Sequence, residues 1–408
     1  MLGHLRNYFS NKSGSSALVF ALSAAVIVGA GGAGIDYGHA VLLQSNLQQT
    51  LDAAVLAGVA VSVTPARKKS AAEAYFKRNA DSTSSKFNVS FSIQGDNLVG
   101  SADGSAETTL LRVLNINQVK LAAKSTATAT AYDEPLCLMA MNPTRKHTLE
   151  MNGNVSIYAP DCNIYGNSDN KDDVIDPHTP NNYMAGKFIA TIGGGHHYLE
   201  NVTPPPEFGT KQIADPLAAT AIPAGGACTQ TNMVISGSTI ELPEGHYCGG
   251  LKISNGAVVT LAPGGTYYIS GGTFSVISST VSGIGVTIFL TDASTKINWK
   301  DSQVALSAKK TGAYAGFVLL GARFDTSNTF DSSTVDVHGA FYMPNGAFDW
   351  VNDGTPVLTA KWSAFIVDGF SWSGNGTVNL NFDLAHSDIP YPQALMVMPR
   401  PGQPRLVN

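Results

Sequence analysis

Residues 17–35 read ALVFALSAAVIVGAGGAGI, nineteen positions without a charged side chain and with Ser23 as the one polar residue. An α-helix rises about 1.5 Å per residue, so this stretch is just long enough to cross a hydrocarbon core about 30 Å thick. About 370 residues follow it. The sequence therefore predicts one transmembrane helix that holds a large domain at a membrane.

The charges on either side of this stretch predict its orientation. Arg6 and Lys12 precede it, the first charge after it is Asp36, and the next cation is Arg67. By the positive-inside rule, the N-terminus lies in the cytoplasm and the bulk of the chain lies outside. The alternative is a secretory signal cleaved at the small residues 30–34.

The composition is that of an extracytoplasmic, β-rich chain. Charged residues make up 13% of the chain, about half the usual share, and glycine occurs 41 times. The net charge is −5 and no basic cluster is present, so nucleic acid is not expected as a partner.

Four cysteines follow the span, at Cys137, Cys162, Cys228 and Cys248. None forms a C-x-x-C pair, which disfavours a zinc knuckle or a thioredoxin-like motif. Four cysteines allow three pairings, and we favour the nearest neighbours, Cys137 with Cys162 and Cys228 with Cys248, because each bond would close one local loop. Disulfides persist in oxidising compartments, and the alternative is four reduced, buried cysteines.

Residues 36–131 predict a helical extension and a small pilin-like α/β unit. Apolar residues recur at a helical period up to Thr64-Pro65, and a second helix is expected over 66–80. The period then changes to two over 87–93, which predicts a strand, and further strands are expected over 97–102 and 119–131.

From residue 132 to 408 the chain consists of short apolar strands separated by Gly, Asn, Ser and Asp. The fold class predicted is thus a membrane-anchored α+β chain whose largest part is all-β. A β-solenoid, stapled by the disulfides, explains the recurring strands best, although a sandwich or a barrel gives a similar spacing. Residues 167–232 are polar and Pro-rich, and we expect them to form a loop excursion from the solenoid.

Several segments resemble the N-terminal domain of TadG-like Flp (tight adherence) pilus-assembly proteins. They are Gly14-Ser-Ser-Ala17, Gly34-Ile-Asp-Tyr37, Leu47-Gln-Gln49 and Leu51-Asp-Ala-Ala-Val-Leu-Ala-Gly58. The stretches 149–168 and 242–267 are similar to those of a subset whose outer part is β-helical. The resemblance implies an anchor in the bacterial inner membrane with the C-terminal domain in the periplasm or at the cell surface. It also implies pilus-assembly or pilin-like subunits as partners, and a structural or assembly role in the Tad machine.

Two features that occur in this family or its relatives are missing from the sequence. Longer members carry a von Willebrand A domain with a D-x-S-x-S metal motif, and the chain contains none. Prepilin-type processing uses a glycine with a glutamate five residues later, whereas Val19 stands five residues after Gly14.

Ionisable side chains offer no catalytic constellation, so we expect no enzyme, no cofactor and no metal. The densest acidic stretch, 169–176, lacks the residue order of a calcium loop. Adjacent His196 and His197 have no obvious third ligand, and Asp325, Asp331, Asp336 and His338 could equally mark an exposed strand face. A β-helical polysaccharide-active enzyme is therefore the least favoured reading.

Two surfaces are predicted to bind partners. The first is a membrane or helix–helix interface that includes small residues suited to close helix approach. Its predicted members are Phe20, Gly29, Gly31, Gly34, Leu47 and Leu51. The second is a candidate glycan or protein surface, which would make the chain an adhesin or a glycan-binding protein; core and cap packing is the alternative. Its predicted members are Trp299, Trp350, Trp362 and Trp372.

Overall fold

The computed structural model describes residues 13–61, 65–80, 86–129, 132–353, 360–400 and 404–407. Arg6, Lys12 and Thr64, on which part of the sequence analysis depends, lie outside these residues. The chain forms two compact units, Met1–Ala131 with Arg400–Asn408, and Tyr132–Pro399. Residues 400–408 thus belong to the first unit, whereas the sequence analysis assigns them to the second.

The first unit contains two helices and four strands. They are α1 (Ser13–Val61), α2 (Pro65–Asn79), β1 (Asn88–Gln94), β2 (Asn97–Glu107), β3 (Gln118–Ala129) and β23 (Pro404–Leu406). The strands form one antiparallel sheet in the order β1-β2-β3-β23, and the helices pack against it. Pro65 begins α2, where its fixed φ and missing N–H are tolerated. Strand β23, close to the C-terminus, joins the sheet through the pairing of Arg405 with Thr128 of β3.

The core of the first unit lies between the C-terminal part of α1 and the sheet. Leu47 and Leu51 are fully buried there, together with Val55 and Leu98. The prediction that Leu47 and Leu51 belong to a membrane or helix–helix interface with a partner is therefore wrong. Their helical spacing showed an apolar face, but this unit's own sheet covers that face.

The second unit is a large all-β region built on parallel pairing. Its first strands are β4 (Tyr132–Ala140), β5 (Leu149–Gly166), β6 (Ile175–Pro177), β7 (Tyr183–Thr191), β8 (Val202–Thr203), β9 (Gln230–Ser236), β10 (Thr239–Leu242), β11 (Gly245–Ser254), β12 (Val258–Leu261) and β13 (Thr266–Ser270). The remainder are β14 (Phe274–Ile277), β15 (Thr280–Leu290), β16 (Ile297–Lys300), β17 (Gln303–Ala308), β18 (Phe317–Gly321), β19 (Thr326–Asp331), β20 (Thr334–Asp353), β21 (Ser363–Asn379) and β22 (Met396–Arg400).

Strands in this unit pair in parallel with strands that follow 22 to 31 residues later in the chain. Val258 pairs with Thr280, Thr280 with Gln303, and Gln303 with Thr334, which are steps of 22, 23 and 31 residues. Every second residue of such strands faces the core, so buried side chains stack from one strand to the next.

The order of strands in space differs from their order in the chain. The last long strand, β21, pairs in parallel with β4 and β5, the first strands of the unit. One ladder therefore runs β7-β5-β4-β21-β20-β18-β15-β13-β11-β9. The chain enters this ladder in its middle, builds one end, and returns to build the rest from the other end.

Residues 208–229 make this return and contain neither helix nor strand. Nine steps between strands of about 4.8 Å cover about 43 Å, which 22 extended residues can span. The return segment is held on the ladder by Asn167, which bonds Ile213, and by Arg323, which pairs with Asp215. The excursion predicted for 167–232 was thus too long, because β6, β7 and β8 within it pair in the sheet.

The four tryptophans lie inside the second unit and none has exposed surface. Trp299 stacks on Phe330 with ring centroids 4.8 Å apart, and Trp350 lies 4.8 Å from Trp372. The prediction that they form a glycan or partner surface is therefore wrong. Trp299 follows Ile297 by two residues and so shares its face, and both side chains are buried.

Both nearest-neighbour disulfides form in the structure. Cys137 bonds Cys162 across 25 residues, and Cys228 bonds Cys248 across 20. The second bond ties the end of the return segment to β11.

Candidate membrane-proximal site

The N-terminal part of α1 carries apolar side chains that its own unit leaves exposed. Phe20, Val26, Ile27 and Ile35 are each about two-thirds exposed or more. Buried apolar side chains begin at Ala40 and recur along the helix to Val59. Among the described residues, one helix, within Val19–Ala60, is long and apolar enough to cross a membrane.

The glycines of this segment fall into two kinds. A side chain added at Gly29, Gly31 or Gly34 would meet nothing within 4 Å among the described residues, so these positions are open. At Gly32, a Cβ would lie 2.7 Å from Cβ of Leu110. Gly32 therefore permits the close approach of the chain around residue 110, a role that the sequence analysis did not single out.

Asp36 connects the helix to the segment between β2 and β3. Its carboxylate accepts three backbone hydrogen bonds, from the N–H groups of Thr109 at 3.0 Å, Leu110 at 2.8 Å and Leu111 at 2.7 Å. These N–H groups begin the short 3-10 turn Leu111–Leu114, where they have no partners within the turn. The first charge after the apolar span thus fixes a turn beside the helix.

This turn exposes apolar side chains at the level where the apolar part of α1 ends. Leu110, Val113, Leu114 and Ile116 are 38%, 86%, 56% and 45% exposed. We call residues 110–116 the apolar turn. Its single cation, Arg112, pairs with Glu107 at 2.9 Å. An exposed apolar group next to an exposed apolar helix is the arrangement expected at a lipid surface.

The ionisable residues considered in the sequence analysis are not all brought together. Asp331 pairs with Lys300 at 2.8 Å, Asp336 accepts a bond from the Ala360 N–H, and His338 bonds Ser387 at 2.8 Å. Each is thus engaged with a different neighbour. Burial lowers the pKa of His338 below its usual 6.5.

Two other predicted groups do converge. Asp173 and Asp176, from the acidic stretch 169–176, lie beside His196 and His197. Asp173 also accepts a bond from Lys146 at 2.8 Å, which lowers the pKa of its carboxyl. This cluster was not predicted from the sequence, because the two segments are some 20 residues apart and meet only through strand pairing.

One segment of the chain, which corresponds to α1, matches a known protein family. Residues 14–61 match the family described as "Putative Flp pilus-assembly TadE/G-like", which confirms the TadG-like resemblance over this helix. Comparison with curated proteins gave no match, and comparison with solved structures gave none either. The matched segment coincides with α1 almost from end to end, so it supports a pilus-related role for the unit that this helix organises.

Proposed function

We propose that the protein is a non-enzymatic component of Tad/Flp pilus machinery, anchored in the bacterial inner membrane by residues 17–35 or incorporated as a minor pilin-like subunit. The observation that carries the proposal is the division of α1. Its N-terminal part is apolar and exposed, its C-terminal part is the core of the first unit, and the whole helix matches the TadE/G-like family.

The orientation follows from the positive-inside rule, with Arg6 and Lys12 in the cytoplasm. The second unit then lies in the periplasm or at the cell surface, where both of its disulfides are stable. We infer that its parallel ladders close into a β-solenoid, since steps of about 22 residues return the chain to the same strand position.

The apolar turn provides a second contact with the membrane in this proposal. Asp36 and Gly32 hold the turn against α1 at the end of the span. Once residues 17–35 lie in lipid, Val113 and Leu114 lie at the membrane interface. The first unit thus contacts the bilayer at two places, and the turn limits how far α1 tilts.

The structure gives no support to the alternative function, a surface adhesin or glycan-binding protein. It rested on four tryptophans at the surface, and these side chains are buried. A pilus component, in contrast, needs the anchor and the folded unit on the same helix, as α1 provides.

Fractionation of the native host tests the anchor and the compartment. We expect the C-terminally tagged protein to be full length, to resist alkaline extraction from membranes, to migrate differently on gels without reductant, and to be digested by protease in spheroplasts. A shorter, released species would show that the span is cleaved, and would refute the anchored form. Loss of pili on deletion of the gene, restored by the wild-type chain, tests the pilus role itself.

A reporter in the apolar turn tests the membrane contact. Val113→Trp should place an indole at the interface, so that brominated lipids quench its fluorescence in proteoliposomes. Asp96→Trp is the control, because the β1–β2 turn lies near Gly58, about 33 Å along α1 from Asp36. Equal quenching of the two variants would contradict the placement of the turn.

A further inference from the structure

Four of the nine histidines in the chain lie around two aspartates in the second unit. The residues of this cluster are His147, His178, His196, His197, Asp173 and Asp176. They come from the segment before β5, from β6 and the residues on either side of it, and from the loop after β7.

Strand pairing explains why these separate segments meet. Glu150 of β5 pairs with Asp176 of β6, and Ile175 forms a parallel bridge with Gly195. Because this bridge aligns Ile175 with Gly195, it also aligns the next residues, Asp176 and His196, with each other. In addition, the His196 N–H donates to the Ile175 carbonyl at 2.9 Å.

Asp176 is the centre of the cluster. Its side chain has no exposed surface, and its carboxylate oxygens lie 3.0 Å from Nδ1 of His197, 3.3 Å from Nδ1 of His178 and 3.8 Å from Nδ1 of His147. Among the described residues, no lysine or arginine forms an ion pair with it. The side chains beside this buried carboxylate are therefore imidazoles, which together with a carboxylate are common ligands of transition-metal ions.

We propose that this cluster binds one divalent transition-metal ion through His196, His197 and Asp176. One ligand atom of each residue lies within 4.8 Å of the others. Tetrahedral Zn²⁺ bonds at about 2.0–2.1 Å place neighbouring ligand atoms about 3.3 Å apart, so modest side-chain rotation closes the site. Two imidazoles with a carboxylate match Zn²⁺ and related ions, whereas Ca²⁺ and Mg²⁺ prefer oxygen ligands alone.

Neighbouring side chains complete the environment of the ion. An Asp173 oxygen lies 3.3 Å from Nδ1 of His196, and His ligands of metals characteristically bond a carboxylate through their second nitrogen. Asp173 is therefore a positioning residue for His196. Three protein ligands leave a fourth position for water or for a group of another molecule.

The loop that carries His196 and His197 packs closely against the backbone of the acidic stretch. A Cβ at Gly193 or at Gly194 would collide with the backbone carbonyls of Asn170 and Lys171, so only glycine fits this close approach. His197 adopts φ +45°, which is uncommon for a residue other than glycine. The bound ion fastens this loop to β6 and to the acidic stretch.

Metal binding to the full-length, tag-free protein in mild detergent tests the proposal. After treatment with a chelator, the wild type should bind about one Zn²⁺ per chain, and Co²⁺ should give the visible absorption of a tetrahedral site. His196→Ala and His197→Asn should each weaken Zn²⁺ binding at least about tenfold. Asparagine is chosen at position 197 because it tolerates a positive φ.

The control is His386→Asn, which removes an exposed histidine that also pairs with a carboxylate, Asp383, at 2.8 Å. This variant should bind Zn²⁺ as the wild type does. A rise in unfolding temperature on adding Zn²⁺, present in the wild type and lost in H196A and H197N, separates the site from nonspecific binding. No stoichiometric binding by the wild type, or equal binding by H196A, H197N and H386N, would overturn the proposal.

Discussion

The buried tryptophans make a sharp test of the packing in the second unit, because identical substitutions should have different costs. The indole N–H of Trp362 donates to the Ile389 carbonyl at 2.9 Å. The indole N–H groups of Trp350 and Trp372 have no acceptor among the described residues. All three side chains have no exposed surface, so each Trp→Phe change removes a similar buried area.

The expected difference is the sum of two hydrogen-bond effects. Trp362→Phe loses a bond of about 0.5–1.5 kcal/mol, although the Ile389 carbonyl keeps the Ser387 hydroxyl as a donor. Trp372→Phe removes a buried donor without a partner, which relieves about 1–3 kcal/mol. W362F should therefore be less stable than W372F by about 1.5–4.5 kcal/mol, or at least about 3 °C in melting temperature for a unit of this size.

Differential scanning calorimetry of the full-length chain, with disulfides intact, measures this difference. Trp350→Phe serves as a second variant of the unpaired kind and should resemble W372F. A melting temperature of W372F as low as that of W362F would refute the reasoning, since it would mean that the Trp372 N–H is satisfied in the folded protein.

Three further predictions concern other parts of the chain. Replacing Cys228 and Cys248 by serine opens a loop of 20 residues and should cost about 3 kcal/mol, seen as a lower urea midpoint under non-reducing conditions; an unchanged midpoint would contradict it. Since burial lowers the pKa of His338, the stability it contributes is fully present above its usual 6.5 and is lost as the pH falls through 6.5 towards the folded value. His338→Gln should therefore reduce the fall in melting temperature between about pH 7.5 and pH 5, and an identical fall would refute this assignment. Asp36→Ala removes the acceptor of three amides in the turn after β2, whose hydrogen exchange should accelerate at least about tenfold, while the amides of β1 and β2 remain as protected as before.

Local patterns were sufficient for both helices and for the first three strands. The apolar run 17–35 and the helical spacing that follows it predict α1, and alternation over 87–93 predicts β1, because each pattern depends on residues close in sequence. The nearest-neighbour disulfides are predictable for the same reason, since each closes a short loop.

Periodicity places side chains on a common face but does not say what covers that face. Leu47 and Leu51 were assigned to a partner, and the structure buries them beneath the sheet of the first unit. Trp299 and Ile297 share a face in either interpretation; only the neighbouring strands decide that this face is the core.

The sequence by itself determined the long apolar N-terminal helix, the change from helix to strand, and the β-rich character of the remainder, since composition and short-range spacing set these properties. The tertiary structure alone decided that β21 pairs with β4, that the C-terminal strand returns to the first unit, and that His196 meets Asp176. These features join residues far apart in the chain, and their free energy depends on which strands become neighbours, which no local pattern specifies.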